Sequence, residues 1–237
     1  TQAARAICYA TAMALDRAER GSDQAARQAA HARASLLTPV AKAFATDMGV
    51  EVASLGVQVH GGMGYIEETG AAQLLRDARI TAIYEGTNGI QAIDLVTRKL
   101  PLAGGAAVDA FLGKLRRIVE ATNATNDPSL GGSGMRLQEA VESLARATRW
   151  MIDRLGKDAN EALAGATPYL RLFGLATGGC LLAQQALAAL RLNADAAPRT
   201  ALARFFAENF AVQAGALERT VVEGAPSVLG GDAALAH

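Results

Sequence analysis

The segment "VQVHGGMGYIEETGAAQLLRDARITAIYEGTNGIQAIDLVTRKL", residues 57–100, decides the fold. Two breaks interrupt its apolar pattern: a glycine turn at residues 61–65 and the sequence Glu-Gly-Thr-Asn-Gly at residues 85–89. Glycine ends helices because it accepts positive φ, and threonine is a favourable N-cap residue. The segment therefore predicts helices joined by tight turns, with one helix over residues 70–84 and another that begins after Thr87.

The helical pattern extends upstream of this segment. We expect the first helix to end near Gly21, and residues 22–34 are consistent with either a helix or a loose connection. Thr38 and Pro39 suit the N-cap and the first position of a further helix. Apolar positions then recur every three or four residues, which predicts one buried stripe: Val40, Phe44, Met48, Val52, Leu55 and Val59.

The helix over residues 70–84 has its own predicted orientation. Thr69 precedes it as a candidate N-cap residue. Four apolar side chains are expected to face inward: Leu74, Leu75, Ala78 and Ile83. The charged side chains of Arg76, Asp77 and Arg79 are expected to form a structural ion-pair set.

Pro101 and the glycines that follow it mark a domain boundary. We therefore predict one helical domain over residues 1–100 and a second helical domain over residues 101–237. Strand patterns are nearly absent along the whole chain, so the predicted fold class is all-α.

The second domain has the pattern of a helix bundle. Residues 108–119 form an amphipathic pattern, residues 124–134 have the composition of a flexible linker, and residues 137–155 carry a heptad-like stripe. Residues 167–192 form a nearly all-apolar helix, which must lie at the centre of its bundle. Pro198 opens a last helix, which we expect to extend to about Glu223 before a loose tail.

Two glycines within the apolar helix have a predicted role. Gly174 and Gly178 stand one helical turn apart and present no side chain. They are expected to let a neighbouring helix approach closely.

Composition excludes several classes of protein. The 237 residues carry 23 Lys and Arg against 23 Asp and Glu, a formal net charge of 0, which argues against a protein that binds nucleic acid or a membrane surface. Cys8 and Cys180 are far apart in sequence, and no Cys/His spacing predicts a metal site. The longest apolar run, residues 172–183, is too short to span a membrane, so no membrane span is predicted.

The start of the chain leads to two further expectations. No signal peptide is visible, which favours a cytoplasmic location. The chain begins inside a helical pattern and without Met. We therefore expect it to be the C-terminal part of a longer protein, so that part of any active site lies elsewhere.

Glu85 is the candidate catalytic residue. A lone glutamate at a helix end is normally a solvated surface residue, and a glycine pair after a helix is normally a simple C-cap. Here, however, the carboxylate lies near a helix C-terminus, which disfavours negative charge. Tyr84 offers an apolar wall, and Gly86 removes steric cover. These neighbours predict a carboxylate that faces a water-poor cavity, where it is a stronger base.

Three motifs in order resemble the C-terminal helical domain of acyl-CoA dehydrogenases. They are the turn that contains Gln58, Gly61 and Gly62, the Arg-Asp-Ala-Arg helix at residues 76–79, and Ile-Tyr-Glu-Gly-Thr at residues 83–87. The spacing between Gln58 and Glu85 also agrees with that family. Residues 101–237 resemble the C-terminal extension of a longer subgroup, which includes 3-methylmercaptopropionyl-CoA dehydrogenases.

The resemblance implies a reaction and a base. Glu85 matches the residue that removes the α-proton of an acyl-CoA thioester while a hydride leaves the β-carbon for FAD, giving a trans-2-enoyl-CoA. The backbone N–H of Glu85 would hold the thioester carbonyl, and Tyr84 and Gly86 would form the wall around the acyl thioester.

The resemblance also implies binding residues and partners. Gln58, Gly61 and Gly62 match the turn that touches the adenosine part of FAD, and Thr87, Asn88 and Gly89 match the segment at the FAD diphosphate. The implied partners are an acyl-CoA substrate, an electron-transfer flavoprotein as electron acceptor, and further copies of the chain in a dimer or tetramer. The family's other two domains are absent, so the isolated chain is expected to be inactive.

Two alternatives remain open at this stage. An acyl-CoA oxidase would use the same base but pass electrons to oxygen. A non-catalytic helical scaffold would keep the fold for assembly alone, although an intact Glu85 argues against it.

Overall fold

The computed structural model describes residues 1–192 and 195–231. Within these two ranges the chain is all-α and contains no strand, as predicted. The α-helices in chain order are α1 (Gln2–Arg20), α2 (Gln24–Val59), α3 (Gly62–Tyr65), α4 (Ala71–Thr81), α5 (Asn88–Asp94), α6 (Ala106–Ala124), α7 (Ser133–Leu155), α8 (Ala159–Ala164), α9 (Ala166–Arg191), α10 (Ala197–Asn209), α11 (Ala214–Glu223) and α12 (Ala225–Leu229). Short 3₁₀ or π turns occur at Glu67–Thr69, Leu95–Lys99, Leu102–Gly105, Pro128–Leu130 and Ala211–Gln213.

The start of α2 differs from the prediction. α1 ends at Arg20 with Gly21 as its C-cap, as expected, but α2 then runs without interruption from Gln24. Its N-cap is Asp23, whose Oδ1 accepts a hydrogen bond from the Ala26 N–H at 2.8 Å. The predicted helix start at Thr38 and Pro39 is therefore wrong. The Thr38 hydroxyl instead donates to the Ala34 carbonyl at 2.8 Å, and Pro39 is a buried residue inside the helix.

The predicted stripe on α2 is buried only in its first half. Val40 and Phe44 lie in the core, because α1 and α9 pack against this part of the helix. Beyond Met48, which is partly buried, the apolar side chains are exposed, and Val59 reaches 84% exposure. The sequence pattern correctly found an apolar stripe, but the described residues cover its second half only in part. Val52 and Leu55 line a groove beside Phe205 of α10. Val59 is the most exposed of the stripe.

α4 is shorter and more exposed than predicted. It ends at Thr81, and Gly70, in the left-handed conformation with φ 74°, is its N-cap. The Thr69 hydroxyl only assists, since it accepts from the Ala71 N–H at 3.4 Å. Leu75 and Ala78 are not fully buried, and Leu74 and Ile83 are 67% and 50% exposed, so the prediction that all four face inward is wrong for these two.

The nearly all-apolar α9 lies at the centre of the molecule, as predicted. It contacts α1, α2, α5, α6, α7, α10 and α11. By length and composition α9 could cross a membrane, but 78% of its apolar window is buried among these helices. Its hydrophobicity is therefore that of a core helix.

Two glycines let neighbours reach the backbone of α9. A Cβ at Gly174 would collide with the ring of Phe44 from α2. A Cβ at Gly178 would lie 3.0 Å from the Cβ of Ala3 in α1. The predicted close approach at both glycines is confirmed, and it joins α9 to α1 and α2.

The part of the chain after residue 100 follows its predicted pattern with two changes. The apolar stripes of α6 and α7 are buried, except for partly buried Leu155. Residues 124–134 are not a loose linker, because Leu130 and Ser133 are buried and the Ser133 hydroxyl donates to the Leu130 carbonyl. The predicted last helix is divided at Phe210 into α10 and α11.

The tail of the chain is described in part. The structure adds a short helix, α12, after Gly224, where a loose tail was expected. Residues 232–237 of that tail lie outside the described ranges. One hydrophobic cluster contains buried residues from both sides of residue 100, so the domain boundary remains a prediction.

The contact between Gly174 and Phe44 can be tested by substitution. We expect Gly174→Ala to lower the free energy of unfolding by about 1–3 kcal/mol, because the added methyl group overpacks the core. Gly215→Ala is the matched control: this helical glycine in α11 has no atom within 4 Å of the added Cβ. Alanine there should be neutral or stabilising by up to about 1 kcal/mol. Urea unfolding followed by far-UV circular dichroism measures both, and unchanged stability of Gly174→Ala would show that the close approach is unimportant.

Candidate active site

Glu85 lies in a tight connection between α4 and α5. Its φ is 56°, in the left-handed region, and the following Gly86 has φ 83°. A left-handed residue with a side chain costs roughly 1–2 kcal/mol, whereas glycine adopts this conformation freely. The turn therefore holds Glu85 in a strained conformation that other contacts must stabilise.

Side chains from α2 and α5 hold this turn through its backbone carbonyls. The Lys42 ammonium donates to the Gly86 carbonyl at 2.8 Å. The Gln91 Nε2 donates to the Glu85 carbonyl at 3.1 Å. Because a hydrogen bond to a charged group contributes about 1.5–3 kcal/mol, the Lys42 bond alone can offset the strain at Glu85.

Asn88 anchors the start of α5 to α2. Its Oδ1 accepts from Lys42 Nζ at 2.8 Å, and its Nδ2 donates to Thr46 Oγ1 at 2.9 Å and to Asp47 Oδ1 at 2.6 Å. Its backbone N–H donates to the Ala82 carbonyl at 3.1 Å. The amide group of Asn88 is therefore committed to contacts within the protein.

Thr87 and Gly89 flank this anchor. Thr87 is the N-cap of α5, as predicted, and its hydroxyl accepts from the Ile90 N–H at 3.4 Å. Both Thr87 and Gly89 are exposed, and no atom lies within 4 Å of a Cβ placed on Gly89. Of the three residues predicted to meet the FAD diphosphate, these two leave room for an approaching ligand.

The candidate base is open to solvent in this chain. Glu85 and Gly86 are exposed, and Tyr84 is 54% exposed. The described residues do not by themselves form the water-poor cavity that we predicted around the carboxylate. Any such cavity requires further protein, cofactor or substrate to cover the turn.

The glycine turn ends α2 and contains a positive φ, as predicted. Gly61 has φ 61°, and a Cβ placed on either Gly61 or Gly62 would have no atom within 4 Å. Gln58 is exposed beside them, and its carbonyl accepts from the Gly61 N–H at 3.1 Å. His60 closes the helix end, with its Nδ1 2.8 Å from the Gly56 carbonyl.

The predicted site has two parts, the Glu85 turn and the glycine turn that contains Gln58. The structure places them at different points along α2. The Glu85 turn contacts α2 at Lys42, Thr46 and Asp47, whereas Gln58 lies eleven residues beyond Asp47. At 1.5 Å per residue, about 16 Å of helix separates Asp47 from Gln58. The two parts are aligned on one helix but are not brought into one cavity within this chain.

The predicted ion-pair set is different in the structure. Arg76 forms a two-pronged pair with Glu67, with both N–O distances 2.8 Å, rather than with Asp77. This hydrogen bonding, followed by the charge of Arg76, lowers the pKa of Glu67. The pair is exposed and joins α4 to the preceding turn, which is a structural role.

Across the described residues, no group of three or more acidic, His or Cys side chains could hold a metal ion.

Large apolar side chains surround the candidate site without cover. They come from the end of α2, the glycine turn, α4 and α5: Val59, Met63, Tyr65, Leu74, Ile80, Ile83, Tyr84 and Ile90. Exposed large apolar side chains that come from neighbouring elements favour an interaction site.

The sequence that forms these turns and helices matches two known family models. Residues 1–100 match the family model "Acyl-CoA dehydrogenase, C-terminal domain", and residues 108–232 match "Acetyl-CoA dehydrogenase C-terminal like". The chain belongs to the acyl-CoA dehydrogenase family, of which it provides the C-terminal helical domain and a C-terminal extension.

The similarity to one relative agrees with this assignment. The chain is 41% identical over 241 aligned positions to 3-methylmercaptopropionyl-CoA dehydrogenase of Ruegeria pomeroyi, with 97% of this chain and 40% of that protein covered. It therefore spans about 40% of the length of that relative.

Two solved structures share the fold. Caenorhabditis elegans ACDH-11 in complex with C11-CoA gives a TM-score of 0.75 at 22% identity, covering 93% of this chain and 37% of that one. An acyl-CoA dehydrogenase complexed with FAD from Bacillus anthracis gives a TM-score of 0.74 at 18% identity, covering 94% of this chain and 40% of that one.

Sequence reasoning missed the residues that support the turn. Lys42, Thr46, Asp47 and Gln91 had no motif to mark them, and three of them are more than forty positions from their partner in sequence. The one available clue was that Lys42 and Thr46 are four residues apart, and thus on one face of α2.

The role of Asn88 as an anchor predicts a local effect. Asn88→Ala removes the side-chain bonds to Lys42, Thr46 and Asp47, so we expect the hydrogen-bonded amides of residues 88 and 91 to exchange at least about tenfold faster. Asn209→Ala is the control, because the Asn209 amide donates one exposed bond, to the Phe205 carbonyl at 2.9 Å, far from this turn in sequence. Hydrogen exchange followed by mass spectrometry compares both, and unaltered protection in Asn88→Ala would refute the anchor.

Proposed function

We propose that this chain forms part of a flavin-dependent acyl-CoA dehydrogenase that converts an acyl-CoA thioester into a trans-2-enoyl-CoA, with Glu85 as the base. The observation that carries the proposal is the strained Glu85 turn, which Lys42 and Gln91 hold through its carbonyls. Strain of this kind concentrates at functional sites because precise placement of one group justifies its cost.

The backbone at Glu85 supplies a second element of the reaction. No hydrogen bond within residues 1–192 and 195–231 uses the Glu85 N–H. An α C–H beside a thioester becomes acidic enough for a carboxylate only when the developing enolate oxygen is stabilised. The Glu85 N–H is suited to bind that oxygen, so one residue would both remove the proton and stabilise the charge.

The environment of the carboxylate completes its role as a base. Tyr84 and Gly86 border Glu85, and substrate bound against them would displace water from the turn. Loss of water makes a carboxylate a stronger base, which helps proton removal from carbon. Because the turn is open in this chain, the change would occur only when substrate and the rest of the protein cover the site.

The exposed glycines fit a bound FAD. The open backbone at Gly61 and Gly62, with Gln58 beside it, would hold the adenosine part. Thr87 and Gly89 would face the diphosphate, and Asn88 would contribute by fixing the helix start rather than through its amide. When bound, the flavin supplies the chemistry that accepts a hydride from the β-carbon.

The exposed apolar surface around the site implies partners. We assign it to contact with the remaining domains of a longer cytoplasmic protein and with further copies of the chain, in a dimer or tetramer. An electron-transfer flavoprotein is the proposed electron acceptor, and an acyl-CoA is the proposed substrate.

Substitution of the proposed base tests the assignment in the full-length protein. We expect Glu85→Gln to lower dye reduction with saturated acyl-CoA substrates by at least about 100-fold, because an amide cannot accept the α-proton. Flavin absorbance should remain, since Glu85 is not assigned to flavin binding. Glu68→Gln is the matched control: Glu68 is exposed in the turn before α4 and forms no ion pair with a described residue, so activity should be unchanged.

Each result of that experiment has a defined meaning. Activity retained in Glu85→Gln would remove this residue from the mechanism. A flavin spectrum in the unmodified protein that responds to no acyl-CoA would favour a non-catalytic scaffold. Peroxide formation in place of dye reduction would identify an oxidase that uses the same base.

The incomplete site leads to a separate prediction. The isolated 237-residue chain should retain little FAD after desalting and should reduce no dye with acyl-CoA, because the proposed cofactor residues lie on an exposed face. Flavin absorbance and fluorescence after gel filtration measure retention. Stoichiometric flavin together with turnover by this chain would contradict the prediction.

A further inference from the structure

A cluster of cations lies away from the Glu85 turn. Arg17 from α1, Arg33 from α2 and Lys114 from α6 line one narrow cavity. No carboxylate among the described residues forms a salt bridge with any of the three, although nine salt bridges occur elsewhere in these ranges. Arg17 is exposed and Arg33 and Lys114 are partly buried, so the repulsion among the three charges acts mainly on Lys114.

The same cavity contains a buried hydroxyl that forms no hydrogen bond with the described residues. Thr177 of α9 is fully buried, and its Oγ1 is the unsatisfied atom. Three other buried threonines each donate to the carbonyl four residues earlier: Thr11, Thr122 and Thr148. Thr177 does not, and leaving a buried polar group unsatisfied costs about 1–3 kcal/mol.

Lys114 also lines a second, larger cavity beside the first. This cavity has a volume of about 510 Å³, and its other cations are Arg117 and Arg191. Its apolar lining includes Ile118, Leu187 and Leu190, and no described carboxylate lines it. The two cavities together combine positive charge, one buried hydroxyl and an apolar wall.

We propose that Arg17, Arg33, Lys114 and Thr177 form a binding site for a phosphorylated small molecule whose apolar part occupies the adjoining cavity. The narrow cavity has about 10 Å³, room for one oxygen-sized atom, so a single phosphate oxygen can enter toward Thr177. The remaining oxygens lie at the mouth, where guanidinium groups form strong charge-assisted hydrogen bonds.

The charge balance of the cluster supports an anionic ligand. The pKa of Lys114 is lowered, first by its burial and then by the charges of Arg33, Arg17 and Arg117. A bound phosphate would reverse the electrostatic part of this effect, and the ligand would thereby stabilise the folded state as well.

The site occupies a different part of the molecule from the proposed base. Arg33 and Lys42 lie nine residues apart on α2, which corresponds to about 13 Å along the helix. Lys114 belongs to α6, which follows the proposed domain boundary. The proposal therefore does not depend on the dehydrogenase reaction.

Calorimetric titration of the 237-residue chain at low ionic strength tests the site with two probes. Inorganic pyrophosphate measures the contribution of the cations, and n-hexyl phosphate measures that of the apolar cavity. We expect saturable one-to-one binding of both. Lys114→Met, which retains an apolar stem, and Arg33→Gln should each raise the dissociation constant of pyrophosphate by about tenfold or more.

Two further variants separate a built site from general attraction. Thr177→Val keeps the side-chain shape and should weaken pyrophosphate binding while thermal stability without ligand is retained or raised. Arg219→Gln, which removes an exposed cation of α11, should change affinity by less than about twofold. Absence of saturable binding, or an equal loss in Arg219→Gln, would overturn the proposal. Binding that Leu187→Ala leaves unaltered for n-hexyl phosphate would overturn its apolar part.

Discussion

The contact between Phe44 and the backbone of α9 at Gly174 is the constraint on which the rest of the structure depends. It places the ring of Phe44 in the central cluster, where burial of a large apolar side chain contributes about 1.5–3 kcal/mol. An exposed ion pair such as Arg76–Glu67, which joins α4 to the turn before it, contributes far less. Lys42 and Asp47 lie within three residues of Phe44, on the part of α2 that faces α5. The core contact thereby also sets the position of the side chains that hold the candidate active site.

From that fixed helix, the position of Glu85 follows by hydrogen bonding. The left-handed conformation costs roughly 1–2 kcal/mol, while the Lys42 bond to the Gly86 carbonyl contributes about 1.5–3 kcal/mol. The bonds of Asn88 to Thr46 and Asp47 add to this, so the turn is stable in its strained form before any ligand binds. The backbone at Glu85 is thus held in advance, so its N–H would lose little conformational entropy on binding a substrate oxygen, as the proposed role requires.

The sequence predicted the parts of this structure that depend on local patterns. The Gly21 C-cap, the Thr87 N-cap, the central α9 and the positive φ at Gly61 all follow from residue type and spacing. It failed where tertiary contacts override local preference: a helix start at Pro39 is favourable in isolation, but packing of α2 against α1 and α9 carries the helix through it. The water-poor environment of Glu85 could not be derived either, because a side chain's solvent contact depends on every segment that packs around it. The roles assigned to Gln58 and Gly89 remain predictions for the same reason.

The distribution of apolar surface explains why the candidate site is open. After residue 100, the apolar stripes of α6 and α7 are buried against α9. At the end of α2, by contrast, Val52, Leu55 and Val59 stay exposed. Apolar side chains in a periodic stripe normally face a partner, and this chain spans about 40% of the length of its Ruegeria pomeroyi relative. Glu85 and Tyr84 are exposed as well. A partner that covers both the end of α2 and the Glu85 turn would remove water from the carboxylate, and this would couple assembly of the whole protein to the strength of its proposed base.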